Sequence, residues 1–151
     1  MKYWNIIKEI YNRKIEGDNI YYYQNQDGKI WITDGIVGWL FSKEDGETYS
    51  KNECLFDLSK FKAIDQVGDL LKIDGDFETI ETQLKYEKDE NVIELKSKNK
   101  LAYINKKYLK YLNKKDELKL AKVIGCTESD FVYVFTKGEL VGFILPVIIK
   151  K

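Results

Sequence analysis

Two tightly punctuated apolar hairpins, one near each end of the chain, limit the fold more than any other feature. Near the N-terminus, IYYYQ (20–24) and KIWIT (29–33) flank Asp27-Gly28. Near the C-terminus, FVYVF (131–135) and ELVGFILPVIIK (139–150) flank Lys137-Gly138. β-Branched and aromatic residues on both sides of a dipeptide that supplies positive φ predict antiparallel hairpins. A third strand follows over 36–42 (IVGWLFS), after Asp34-Gly35, and 43–52 reads as a polar, acidic loop. Pro146 cannot donate to a strand ladder, so it marks a sheet edge or a bulge close to the end.

Helical patterning is sparser. Residues 2–14 place Tyr3, Trp4, Ile7, Ile10 and Tyr11 on one face, with Lys2, Asn5, Glu9, Asn12 and Arg13 on the other. Gly17 and Asp18 end that helix. Segments 53–64 and 101–112 match at an offset of 48 residues. Asp57 then falls on Asn105, Phe56 on Ile104, Phe61 on Leu109, Lys62 on Lys110 and Ile64 on Leu112. Asp and Asn make good N-caps, and an apolar residue before the cap staples onto one four positions after it. Each segment reads as a short strand turning into a capped helix, followed by strand-like runs: 77–86 and 91–96, then 117–124, 131–136 and 139–149. The predicted class is α+β, with antiparallel sheets, about three helices and repeated strand-helix-strand units. At 151 residues this is a single domain over 1–151, its approximate halves being 1–52 plus 53–100, and 101–151.

Composition removes whole classes of chemistry. With 44% apolar and 33% charged residues the chain is too apolar and too balanced for disorder. The absence of histidine excludes Ser-His-Asp and Cys-His catalysis and His-ligated zinc. Cys54 and Cys126 form no CxxC and sit beside small or apolar neighbours, so both are expected to be reduced and buried. The start has no continuous apolar leader and no stretch approaches a bilayer span, which together with the reduced cysteines predicts a cytoplasmic protein without membrane partners. Only Arg13 breaks a basic set otherwise made of Lys, and the many Asn, Ile and Tyr suit an AT-rich coding source.

The formal net charge of zero conceals a strong asymmetry. Residues 44–95 hold 6 basic and 15 acidic groups, net −9, while residues 96–122 hold 10 lysines against Asp116 and Glu117, net +8. Such blocks either solvate adjoining faces or offer a basic strip to phosphate beside an acidic surface that repels it.

The run Ile104-Asn105-Lys106-Lys107-Tyr108-Leu109-Lys110-Tyr111-Leu112 resembles the F-N-x-x-Y-L-x-x-L phrase of the bacterial DNA sliding clamp, the processivity factor of DNA polymerase III. Phe143-Ile144-Leu145-Pro146-Val147-Ile148 is similar to that family's terminal strand, and Lys29 to Gly35 resembles its strand ending in a T-D-G turn. Ile148 stands where the family has an arginine, and the chain is about one domain long where the clamp subunit has three. The resemblance implies a clamp-like relative of the kind a phage or mobile element encodes, a non-enzymatic replication accessory without cofactor, metal or catalytic residues. Its helices would touch double-stranded DNA through Lys106, Lys107, Lys110, Lys114 and Lys115, with Lys60 and Lys62 on the repeat partner and Lys2, Lys8 and Arg13 as weaker additions. Leu145, Pro146, Val147 and Ile148 would bind polymerase or other replication proteins, and a ring would require a homo-oligomer.

Two other readings stand beside this one. An apolar strand ending Glu94-Leu95-Lys96, preceded by Asp74 or Asp76, loosely fits the metal-dependent PD-(D/E)xK nucleases. Eleven Tyr, three Trp, the acidic block and the apolar end would equally suit a small interaction or inhibitor protein that binds no DNA. Asp74-Gly75-Asp76 lacks the spacing of a calcium loop.

Overall fold

The computed structural model describes residues 3–16, 19–25, 27–41 and 62–149. Helix α1 (Tyr3–Glu16) buries Ile6 and Ile10, four apart on one face, and exposes Asn5, Lys8 and Asn12. Strands β1 (Tyr21–Gln24) and β2 (Ile30–Thr33) form the first hairpin. Its turn is held twice: Gly28 takes φ 80°, and Asn25 Oδ1 accepts from the backbone N–H groups of Asp27 and Lys29. β3 (Val37–Phe41) follows a second corner. There Asp34 Oδ1 accepts from Ile36 N and Val37 N, both at 2.9 Å, and Thr33 Oγ1 donates to Val37 O at 2.8 Å.

After the two-residue β4 (Lys62–Ala63) come α2 (Gln66–Leu70), β5 (Ile73–Thr79), β6 (Thr82–Lys85), β7 (Val92–Lys96) and β8 (Leu101–Asn105). A 3-10 helix (Lys106–Tyr111) leads to β9 (Asp116–Val123), β10 (Phe131–Thr136) and β11 (Glu139–Ile144). The β10–β11 turn takes φ 52° at Lys137 and 80° at Gly138, as a two-residue hairpin requires.

The protein is α+β, mostly strands, in two sheets. The large sheet runs β4-β1-β2-β3-β11-β10-β9-β5 and the small one β6-β7-β8. The two terminal meanders meet third strand to third strand, with Gly38 opposite Phe143 and Trp39 opposite Gly142. The order β1-β2-β3-β11-β10-β9 is therefore palindromic, and each meander follows a helix, α1 in one case and the 3-10 helix in the other. This is a different pairing from the offset-48 repeat, whose first copy lies mostly outside the described residues. Pairing is antiparallel throughout except between β1 and β4.

β2 is buried at all four positions, so its sheet is covered on both faces. Alternate residues go to different cores. Ile30, Ile32, Trp39, Val132 and Val134 meet α1, the 3-10 helix and the inner face of the small sheet. Trp31, Tyr133, Phe135 and Phe143 meet α2 and Phe77 of β5 on the other side.

The two sheets are tied by polar contacts as well as by apolar ones. Glu78 on β5 reaches the β7–β8 turn, where its carboxylate accepts from Ser97 Oγ and Asn99 N, both at 2.8 Å, and pairs with Lys100 Nζ at 2.5 Å. These partners hold Glu78 down at about pKa 2, Lys100 being the largest cause. Beyond β11 the described residues 145–149 form no strand: Leu145 N donates to Ile36 O and Val147 N to Tyr103 O, each at 2.7 Å, so this segment straps one sheet to the other.

Several expectations change. Lys62 lies on the edge strand β4 rather than on a helix, and α2 follows it where no helix was expected. The run 77–86 is broken at Ile80 and Glu81, where the chain passes from the large sheet to the small one. Cys126 is exposed, because it sits in the loop after β9 rather than in a core; Cys54 lies outside the described residues.

Candidate nucleic-acid interface and adjoining grooves

The lysine-rich turn is shaped by a period of three. In KKYLKY, Tyr108 and Tyr111 are three apart, and in a 3-10 helix such residues eclipse. Both rings are buried, at 4% and 1% exposure, in the core shared with α1. Lys107 and Lys110 are eclipsed on a neighbouring edge and stay in solvent, as does Lys106. Asn105 caps the turn as expected, its Oδ1 accepting from Lys107 N at 3.0 Å. Ile104 and Leu109, the expected staple, belong to the same apolar cluster. The helix is shorter than the sequence suggests, so Lys114 and Lys115 lie beyond it, exposed, in the connection to β9.

Electrostatics separate these five lysines. Lys110 Nζ lies 3.5 Å from Glu9 Oε1 on α1 and 5.1 Å from the Tyr111 ring centre. Among the described residues Lys106, Lys107, Lys114 and Lys115 have no carboxylate within ion-pair distance. Lys107 rests its Nζ 5.0 Å from the Tyr108 ring. Below them, Arg13 pairs with Asp34 of the β2–β3 corner and with Glu9 at 3.3 Å. Burial, and the nearby Glu9 carboxylate after it, push the Tyr111 hydroxyl pKa up, so the ring stays neutral beneath the lysines.

The other expected contributors are scattered. Lys62 is exposed on β4, at the far edge of the large sheet from β9, whose approach holds Lys114 and Lys115. Lys60 and Lys2 lie outside the described residues, Lys8 is exposed on α1, and Arg13 is engaged with carboxylates. The expected lysines that the structure leaves exposed near one another are thus those of 106–115, rather than those of two symmetric helices.

The expected partner-binding residues frame two grooves. Leu145, Pro146 and Ile148 line one of about 360 Å³ with Phe131 and Cys126. Val147 and Ile148 line a second, of about 310 Å³, with Leu101 and Tyr103. Ile148 between them is 60% exposed, and Ile124, one residue before the first groove, is 62% exposed. Sequence patterning missed the loop 125–129, which completes that groove, because its small polar residues carry no periodic signal.

The residues of the nuclease reading fall on different sheets. Asp74 and Asp76 are on β5 in the large sheet, whereas Glu94 is on β7 in the small one and accepts from Tyr103 Oη at 3.2 Å. Among the described residues no group of three or more His, Cys, Asp or Glu could hold a metal ion. No described helix is long and apolar enough to cross a membrane. No protein-family model, curated protein or solved structure matches this chain.

Proposed function

We propose that this chain is a non-enzymatic DNA-replication accessory of the sliding-clamp kind, touching double-stranded DNA through its lysine turn without reading sequence. The observation that carries the reading is the density of uncompensated charge: Lys106, Lys107, Lys110, Lys114 and Lys115 are all exposed within ten residues, and among the described residues only Lys110 has an ionic partner. Ammonium groups on flexible stems suit phosphate tracking, while base readout favours the bidentate guanidinium, and the single Arg13 is occupied elsewhere. The palindromic sheet, with α1 and the 3-10 helix contributing to one core on the same face, supports the clamp-like part. The strap residues Leu145, Pro146, Val147 and Ile148 would receive a polymerase or another replication protein in the grooves beside them.

Binding to duplexes of unrelated sequence tests this reading. Affinity should be similar for all of them and fall with salt, with a log–log slope of about −3.6 for phosphate contacts by the four lysines without an ionic partner. A chain carrying Lys106→Glu, Lys107→Glu and Lys110→Glu should lose binding while keeping its fold. Absence of binding by the unsubstituted chain at low salt would refute the DNA role. The exposed Ile124 and Ile148 beside the grooves would then favour an interaction protein that binds no DNA.

A further inference from the structure

The lysine-bearing segment contains one short motif twice. Asn105-Lys106-Lys107 and Asn113-Lys114-Lys115 stand eight positions apart, and both fold in the same way. In each, the asparagine Oδ1 accepts from the backbone N–H of the second lysine, Lys107 at 3.0 Å and Lys115 at 3.2 Å. A bond from side chain to nearby backbone fixes a turn locally, so each motif holds two lysine backbones in place while the lysines stay exposed. The two turns are anchored in different sheets. Lys106 N donates to Asn91 O, beside β7 of the small sheet, at 2.8 Å. Asn113 N donates to Asp116 Oδ2 at 3.1 Å, Asp116 N donates back to Asn113 O at 3.1 Å, and Asp116 Oδ1 accepts from Thr136 Oγ1 of β10 in the large sheet. Because Glu78 and the strap tie the sheets together, the fold sets the separation of the two turns.

Between the turns the charge is different. Lys110 shares its ammonium with Glu9 Oε1 at 3.5 Å. Among the described residues the four turn lysines have no carboxylate within ion-pair distance, the acidic Glu87, Asp89 and Glu90 near Asn91 included. The surface therefore presents two positive points with a partly neutralised centre. The six-residue 3-10 helix that separates them rises about 2.0 Å per residue, which sets the points about 12 Å apart. Along a single DNA strand phosphates recur about every 3.4 Å of the axis, so one strand following this surface would lay phosphate over the centre, beside Glu9. A gap of about 12 Å instead matches the width of the major groove and is twice that of the minor groove. Resting on the DNA reading above, we infer that the two Asn-Lys-Lys turns grip the two strands of one duplex from either side of its major groove. Lys106 and Lys107 hold one strand, Lys114 and Lys115 the other, and Lys110 with Glu9 lies over the groove between them. The ammonium groups supply the attraction, while Asn105 and Asn113 are positioning residues that set where they start from.

Fluorescence anisotropy with a short labelled duplex, and with one of its strands alone, tests the grip across a series of salt concentrations. The unsubstituted chain should prefer the duplex. Lys106→Gln with Lys107→Gln removes one contact, and Lys114→Gln with Lys115→Gln removes the other. Each pair should lower the magnitude of the salt slope on duplex by about 1.8 and abolish the preference for duplex over single strand. All four lysines are exposed, so the far-UV circular dichroism spectrum should not change. Asn113→Ala should weaken duplex binding severalfold at an unchanged salt slope, since every charge remains, and Asn113→Ser, which keeps an acceptor, should restore it. An equal loss on both ligands from either pair, or duplex binding that survives Lys114→Gln with Lys115→Gln, would overturn the two-strand grip and leave the DNA reading standing. No binding of either ligand by the unsubstituted chain at low salt would refute that reading, and the grip with it.

Discussion

Phe143 packs its ring onto the bare backbone of Gly38: a Cβ added to Gly38 would be 2.0 Å from Phe143 Cε1. The two residues face each other across β3 and β11, the junction where the N-terminal and C-terminal meanders become one sheet. Phe143 also contacts Trp31, with ring centres 5.5 Å apart. The close approach therefore seats an aromatic pair in the second core as well as joining two distant stretches of chain.

Gly38→Ala should destabilise the fold by about 1–3 kcal/mol, the usual cost of overpacking a core. Phe143→Leu on its own should also cost stability, through lost contact with Trp31. The double substitution should cost less than the sum of the two, because the smaller side chain makes room for the new methyl. Urea denaturation of the four chains measures this coupling, and strict additivity would contradict it.

Glu78 makes stability depend on acid. Its pKa is lowered from 4.5 to about 2 in the folded chain, so its contribution is fully present above pH 4.5 and is lost as pH falls through about 2. The difference in urea midpoint between the unsubstituted chain and Glu78→Gln should be constant near neutrality and shrink between those two values. Persistence of the full difference at pH 2 would contradict the latch.

Asn105→Ala removes the acceptor for Lys107 N and should cost about 1 kcal/mol, whereas Asn105→Asp or Asn105→Ser should retain most of it. Thermal unfolding checks this order. Loss of the cap should also loosen the lysine turn, seen as faster amide exchange at Lys107.

Glu9→Gln should strengthen DNA binding. Glu9 partly neutralises Lys110 at 3.5 Å, while Arg13 keeps Asp34 as its main partner after the substitution. Freeing one ammonium adds about 0.9 to the magnitude of the salt slope. An unchanged slope would mean that Lys110 does not touch phosphate.

Legibility in the sequence followed the range of the interactions. The hairpins were readable because Asp27-Gly28 and Lys137-Gly138 fix their turns locally, and the cap at Asn105 because it acts within two residues. The length of the lysine turn was less readable: KKYLKY suits a period of 3.0 nearly as well as 3.6, and burial of Tyr108 and Tyr111 against α1 decides between them. Cys126 was misjudged because small neighbours look the same in a core and in a loop. For the interface, the lysines themselves were visible, but Glu9, 101 positions from Lys110, was not assignable as its partner.

The sequence by itself determined where the strands of the two terminal hairpins begin, which turns reverse them, and that a basic block follows an acidic one, since these depend on neighbours along the chain. Only the tertiary structure decided that β3 joins β11, and that Glu78 and the 145–149 strap bind one sheet to the other. The reason is physical. A strand's backbone offers the same donors and acceptors whatever its sequence, so partner choice is left to long-range packing, such as the fit of Phe143 over Gly38, which no local pattern encodes.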